Sequence, residues 1–153
     1  MRGGRAVRAR PLARRLTHLG KTPSSLVGKF GLAQLLDDGC VYSGDTALAS
    51  PLFSIAVENH SRYDGSFVLV KRTVASATAA DLRAFVKSYH GPPPGPVGPP
   101  PGKLVSFTDV PRGGASELPA NEGPGTYAVI CLQSESWDVL HGIYAATLLH
   151  VPE

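Results

Sequence analysis

Several residue types are scarce in this sequence of 153 residues, and each scarcity excludes a class of protein. The two cysteines, Cys40 and Cys131, are too few for a small domain held together by several disulfides. The one methionine is Met1. No apolar run is long enough to cross a bilayer or to form the core of a secretory signal. We therefore expect no membrane span.

Acidic residues are absent before Asp37, where eight of the 15 Lys and Arg residues lie. The remaining seven are accompanied by all twelve acids, so the rest of the chain has a net charge of −5. The overall charge of +3 therefore describes the N-terminal segment. This split excludes a uniformly basic, nucleic-acid-binding domain and leaves nucleic acid binding to the N-terminal segment alone.

Six arginines and no acid occur in residues 1–21. Such a start resembles an organellar transit peptide, and two alternatives are a basic arm that contacts a partner and a true start upstream. We expect organellar import or a cytoplasmic location rather than secretion. As an arm, the segment would bind a protein partner or a larger assembly through Arg8, Arg10, Arg14 and Arg15.

Short segments with apolar alternation or β-branched residues predict strands throughout the rest of the chain. They are 30–42 with an Asp-Asp-Gly turn, LFSIAVEN (52–59), FVLVKRTV (67–74), KLVSFTDV (103–110), TYAVICL (126–132) and IYAATLLHV (143–151). Turn-rich loops are expected at 59–66, 111–125 and 132–140, and the proline-rich segment 91–102 is expected to be an extended connector or a docking peptide.

One helix is predicted over 78–88, because Thr78 and Asp81 have the spacing of a capping box and an apolar face follows. Short strands, one helix and many turns indicate an all-β Greek-key sandwich with one inserted α-helix. The predicted organisation is a basic arm or targeting segment at 1–29 and a sandwich domain at 30–153.

The segment PGTYAVICL, followed by a histidine and by GIYAATLLHV, resembles the last hairpin of cupredoxin-like domains. LFSIAVENHS and FVLVKR resemble two earlier strands of that family, and the helix and proline-rich stretch resemble an insertion seen in a bacterial branch. The resemblance covers about residues 32–151. It implies a cupredoxin-like sandwich and a place for a copper site.

A blue-copper site needs two imidazoles, one thiolate and a weak axial thioether. The resemblance places the thiolate at Cys131 and one imidazole at His141. The other imidazole position falls near Gly65, with His60 as the nearest histidine, and the axial position is Ile143. Two of the four ligands are missing, so we expect no cofactor, with copper at Cys131, His141 and His60 as the alternative.

Three functions follow from these observations. The first is a non-enzymatic structural or interaction subunit that has lost its copper site, with the basic arm and the proline-rich segment as contact elements and Trp137 as a further contact residue. The second is a copper electron carrier with a degenerate site. The third is an enzyme that uses Cys131 as a nucleophile and His141 as its base. No oxyanion-hole motif accompanies this pair in the sequence. We also expect Cys40 and Cys131 to be unbridged, because Cys131 is predicted at a strand end far from Cys40.

We predict that deleting residues 1–21 leaves the domain folded, because this segment has little apolar surface to bury. Thermal unfolding of the truncated and full chains checks this. A melting temperature lowered by more than about 10 °C, or roughly 3 kcal/mol, would show instead that the segment belongs to the fold.

Overall fold

The structure is a computed structural model that describes residues 29–90, 99–136 and 139–153. The described strands are β1 (Lys29–Leu36), β2 (Gly39–Gly44), β3 (Leu52–Asn59), β4 (Asp64–Arg72), β5 (Gly102–Val110), β6 (Ala115–Asn121), β7 (Gly125–Ser136) and β8 (Val139–Val151). Helix α1 (Ala79–Lys87) lies between β4 and β5, and a 3₁₀ turn follows it at Ser88–His90. No helix in these ranges is long and apolar enough to cross a membrane.

Some predicted features lie outside the described residues. These are the arm with Arg8, Arg10, Arg14 and Arg15, the segment 91–98 and Trp137. Their predicted roles stay predictions, as does the boundary between the arm and the domain.

Two four-stranded sheets form the domain, in the orders β2-β1-β3-β6 and β5-β4-β7-β8. Strands β1 and β3 are parallel, and the other pairs are antiparallel. The chain crosses between the sheets from β3 to β4, from β5 to β6 and from β6 to β7, which is a Greek-key connection. The expected all-β sandwich with one inserted helix is confirmed.

The core lies between the sheets and follows the period-two alternation of the strands. Phe53, Ile55 and Val57 of β3 are fully buried on the inner face, as their spacing predicts. Strand β7 contributes Tyr127 and Val129 to the same core. The sandwich is thus held by side chains that alternate inward from both sheets.

Helix α1 covers the outer face of the second sheet, where Leu82 and Val86 are buried against Val70 and neighbouring residues. Its predicted capping box is present: the Asp81 amide donates to Thr78 Oγ1 at 3.1 Å, and the Thr78 amide donates to Asp81 Oδ2 at 2.9 Å. The second sheet is therefore buried on both faces beneath the helix, which explains its continuous apolar runs.

The prediction of a loop over 111–125 is wrong, because these residues include strand β6. Leu118 and Ala120 face the core, so the alternation is present but short. Strand β6 contains Pro119 and lies at a sheet edge, where proline is tolerated.

The loop predicted over 132–140 is also wrong. Strand β7 continues to Ser136 and β8 begins at Val139, so two residues separate them. The polar residues after Cys131 still pair with β4, as Ser134 does with Asp64. Cys131 therefore lies within a central strand and not at its end.

We predict that Tyr127→Phe lowers the free energy of unfolding by about 1–2 kcal/mol, because it removes a hydrogen bond of a buried hydroxyl. The Tyr127 hydroxyl donates to the Gly123 carbonyl at 2.5 Å, like the tyrosine corner of other sandwiches, and the ring packs edge-on against Phe53. Urea unfolding measures the loss. Tyr89→Phe, at an exposed tyrosine, is the control; equal stability of both variants would contradict the prediction.

Candidate functional site

The expected ligand positions all lie toward one end of the sandwich, which we call the upper end. It carries the turns at 37–38, 60–63 and 111–114. The site predicted from the sequence can therefore be examined residue by residue at this end.

Cys131 is bonded to Cys40. The sulfurs form a disulfide with a Cα–Cα distance of 6.3 Å across a sequence separation of 91 residues. The expectation of two unbridged cysteines is thus wrong. The physical reason is the stacking of the sheets: Cys40 on β2 and Cys131 on β7 both face the core, and β2 lies against β8 of the opposite sheet. Cys131 is therefore neither a free thiolate ligand nor a free nucleophile.

His141 lies at the start of β8 and is held by two neighbours. Its Nδ1 is 2.5 Å from Glu135 Oε2, and its ring stacks on Tyr63 with the centroids 3.9 Å apart. The side chain is 34% exposed. His141 thus belongs to a surface cluster, whereas the Cys131 side chain lies in the core.

His60 lies outside the core as well. Its Nε2 is 2.7 Å from Glu58 Oε1 and 3.4 Å from the Gln34 side-chain amide. The three predicted ligands therefore have three different environments. Within 29–90, 99–136 and 139–153, no group of three or more His, Cys, Asp or Glu residues has a geometry that could hold a metal ion.

The two expected ligand positions that lack a ligand side chain, Gly65 and Ile143, are closely packed. A Cβ at Gly65 would lie 2.6 Å from Leu35 Cδ2 and 2.9 Å from the Leu132 carbonyl oxygen, so a larger side chain has no room there. Ile143 is buried in the apolar cluster beneath helix α1, on the opposite face of the sheet from Cys131. Neither position faces a common metal centre.

Gln133 crosslinks the two sheets at the upper end, a role that the sequence analysis missed. This fully buried amide donates to the carbonyl oxygens of Leu36 at 2.5 Å and Asp37 at 3.1 Å, and accepts a hydrogen bond from the Tyr144 hydroxyl at 3.2 Å. Because residues two apart in a strand share a face, the sequence already indicated that Gln133 lies on the same inner face as Cys131. A satisfied buried amide thus closes this end of the core.

The role of Cys40 also had a signal in the sequence. The Asp-Asp-Gly turn at 37–39 makes a hairpin in which Cys40 pairs with the inward-facing Leu35. Directly opposite residues in a hairpin share a face, so Cys40 had to face the core.

Comparisons with known proteins find likeness in structure only. No protein-family model and no curated protein sequence matches the chain. The dithionite-reduced auracyanin of Roseiflexus castenholzii is 14% identical, with 76% of this chain and 94% of that chain covered and a TM-score of 0.41. The azurin Az-iso2 of Methylomonas sp. strain J is 15% identical, with coverages of 80% and 96% and a TM-score of 0.46. Both are cupredoxins. At these identities, the likeness concerns the fold alone.

We predict that Gly65→Ala lowers the free energy of unfolding by about 1–3 kcal/mol, because the added methyl group overpacks the space beside Leu35. Gly39→Ala is the matched control: its Cβ would have no neighbour within 4 Å, and it should stay within about 0.5 kcal/mol of the parent. Urea unfolding measures both. A neutral Gly65→Ala would mean that the ligand position still has space.

Proposed function

We propose that this chain is a non-enzymatic structural or interaction subunit built on a cupredoxin-like sandwich that has lost its copper site. The observation that carries the proposal is the Cys40–Cys131 bridge. A blue-copper centre requires a thiolate in a trigonal plane with two imidazoles. A sulfur in a disulfide is not that ligand.

Reduction of the bridge would not restore the site. The freed Cys131 would still face the core, with Gly65 at the first imidazole position and Ile143 turned toward helix α1. His141 would still be bound to Glu135. The geometry therefore supports loss of the site in both redox states.

The contact elements in this proposal are the basic arm, the proline-rich segment 91–102 and Trp137. Arg8, Arg10, Arg14 and Arg15 carry the charge excess that the rest of the chain lacks, and Trp137 is the one tryptophan of the sequence. The partner is a protein or a larger assembly, with binding that weakens as salt rises. Nucleic acid would bind only through the arm.

A copper electron carrier is the second candidate. It is favoured by one observation: Cys131 and His141 belong to the same hairpin near the same end of the sandwich. This function requires that a free Cys131 and His141, with His60, rearrange around the ion.

Copper titration separates the two candidates. We predict that neither the oxidised parent nor Cys40→Ala, which frees Cys131, develops the strong visible thiolate-to-copper absorption. Copper should not raise the melting temperature of either protein, since an ion that does not bind the native state cannot stabilise it.

Cys40→Ala/Cys131→Ala is the matched control, because it removes the thiolate that the site requires. A visible band and a raised melting temperature in Cys40→Ala that are absent from this double variant would establish the copper carrier instead.

A further inference from the structure

The two sulfurs of the bridge lie in unequal surroundings. Cys131 is fully buried within a central strand, with Phe67 opposite it on β4 and Tyr144 opposite it on β8. Cys40 is only partly buried and lies on β2, an edge strand. The bridge therefore joins a fully buried residue of a central strand to a partly buried residue of an edge strand.

The chain on either side of Cys40 is open. Val41 is 48% exposed, and a Cβ placed at Gly39 would meet no atom within 4 Å. Both positions lie on the outer face of β2, so an external thiol can reach the strand beside Cys40, whose own side chain faces the core.

Attack on a disulfide proceeds in line with the sulfur–sulfur bond and forms a mixed disulfide. An attacker of Cys40 Sγ has to reach a partly buried residue on an edge strand. An attacker of Cys131 Sγ would have to approach through the packed core around Phe67. The geometry thus favours attack at Cys40 Sγ over attack at Cys131 Sγ.

We propose that Cys40 is the site of thiol–disulfide exchange in this protein, and that its partner is a thiol–disulfide exchange protein of an oxidising compartment. In bridge formation, the Cys40 thiolate attacks the partner's disulfide and releases one partner thiolate. The Cys131 thiolate then attacks Cys40 Sγ and releases the second. The two cysteines are oxidised, the partner's disulfide is reduced to a dithiol, and the two protons pass to solvent and partner.

The same route runs backwards when a partner thiolate attacks Cys40 Sγ and Cys131 leaves as the thiolate. Departure into the apolar core disfavours this direction while the domain is folded. The bridge is therefore made more readily than it is broken, as suits a compartment where disulfides persist.

Two full-length single-cysteine variants test this proposal. Cys131→Ala leaves Cys40 free, and Cys40→Ala leaves Cys131 free; both lack the bridge, so each is the control for the other. With Ellman's reagent under native conditions, Cys40 should react at least about tenfold faster than Cys131, because reaction at Cys131 requires local opening. Both thiols should react alike in urea. Equal native rates, or a faster Cys131, would overturn the proposal.

A second measurement uses the oxidised parent and does not depend on how well the variants fold. The native protein is incubated with reduced glutathione, quenched with acid, alkylated in denaturant and mapped by peptide mass. The glutathione adduct is expected on Cys40, with alkylated Cys131. An adduct on Cys131, or an adduct that forms only in urea, would refute exchange at Cys40.

Discussion

The packing of the inner faces of the two sheets is the constraint on which the rest of this structure depends. Because successive residues of a strand point to opposite faces, this packing fixes the direction of every side chain. In β7 it directs Tyr127, Val129 and Cys131 into the core and leaves Ile130 beneath the helix. The hydroxyl bond of Tyr127, the sulfur bridge and the helix contacts all follow from this one register.

The same alternation determines on which face of the sheet each expected metal ligand lies. Cys131 pairs with Tyr144 and Leu132 pairs with Ile143, so these neighbouring pairs face opposite sides of the sheet. Regular pairing from Cys131 to Gln133 therefore places Cys131 and Ile143 on opposite faces of the sheet. A four-ligand centre would need the hairpin to open into a loop at the upper end, whereas here β7 and β8 remain paired to Ser136 and Val139.

Local patterns predicted most of the fold but little of the site. LFSIAVEN and the capping box of α1 were predicted correctly because alternation and capping depend on neighbouring residues. Strand β6 was missed because its short alternation lies among turn-rich residues, and because the sequence does not identify the sheet edge at which Pro119 is tolerated. The Cys40–Cys131 bridge was missed because it spans 91 residues and depends on how the sheets stack. The predicted roles of the arm remain predictions.

A disulfide and a metal centre make different demands on Cys131. A metal requires a thiolate and several precisely placed partners, whereas the bridge requires only Cys40 and an oxidising environment. In the chain-entropy model, a bridge across about 91 residues stabilises the fold by roughly 4–5 kcal/mol. In the proposed subunit, Gly65 and Ile143 have no ligand role. Gly65 instead allows close packing against Leu35, and Ile143 packs in the apolar cluster beneath α1.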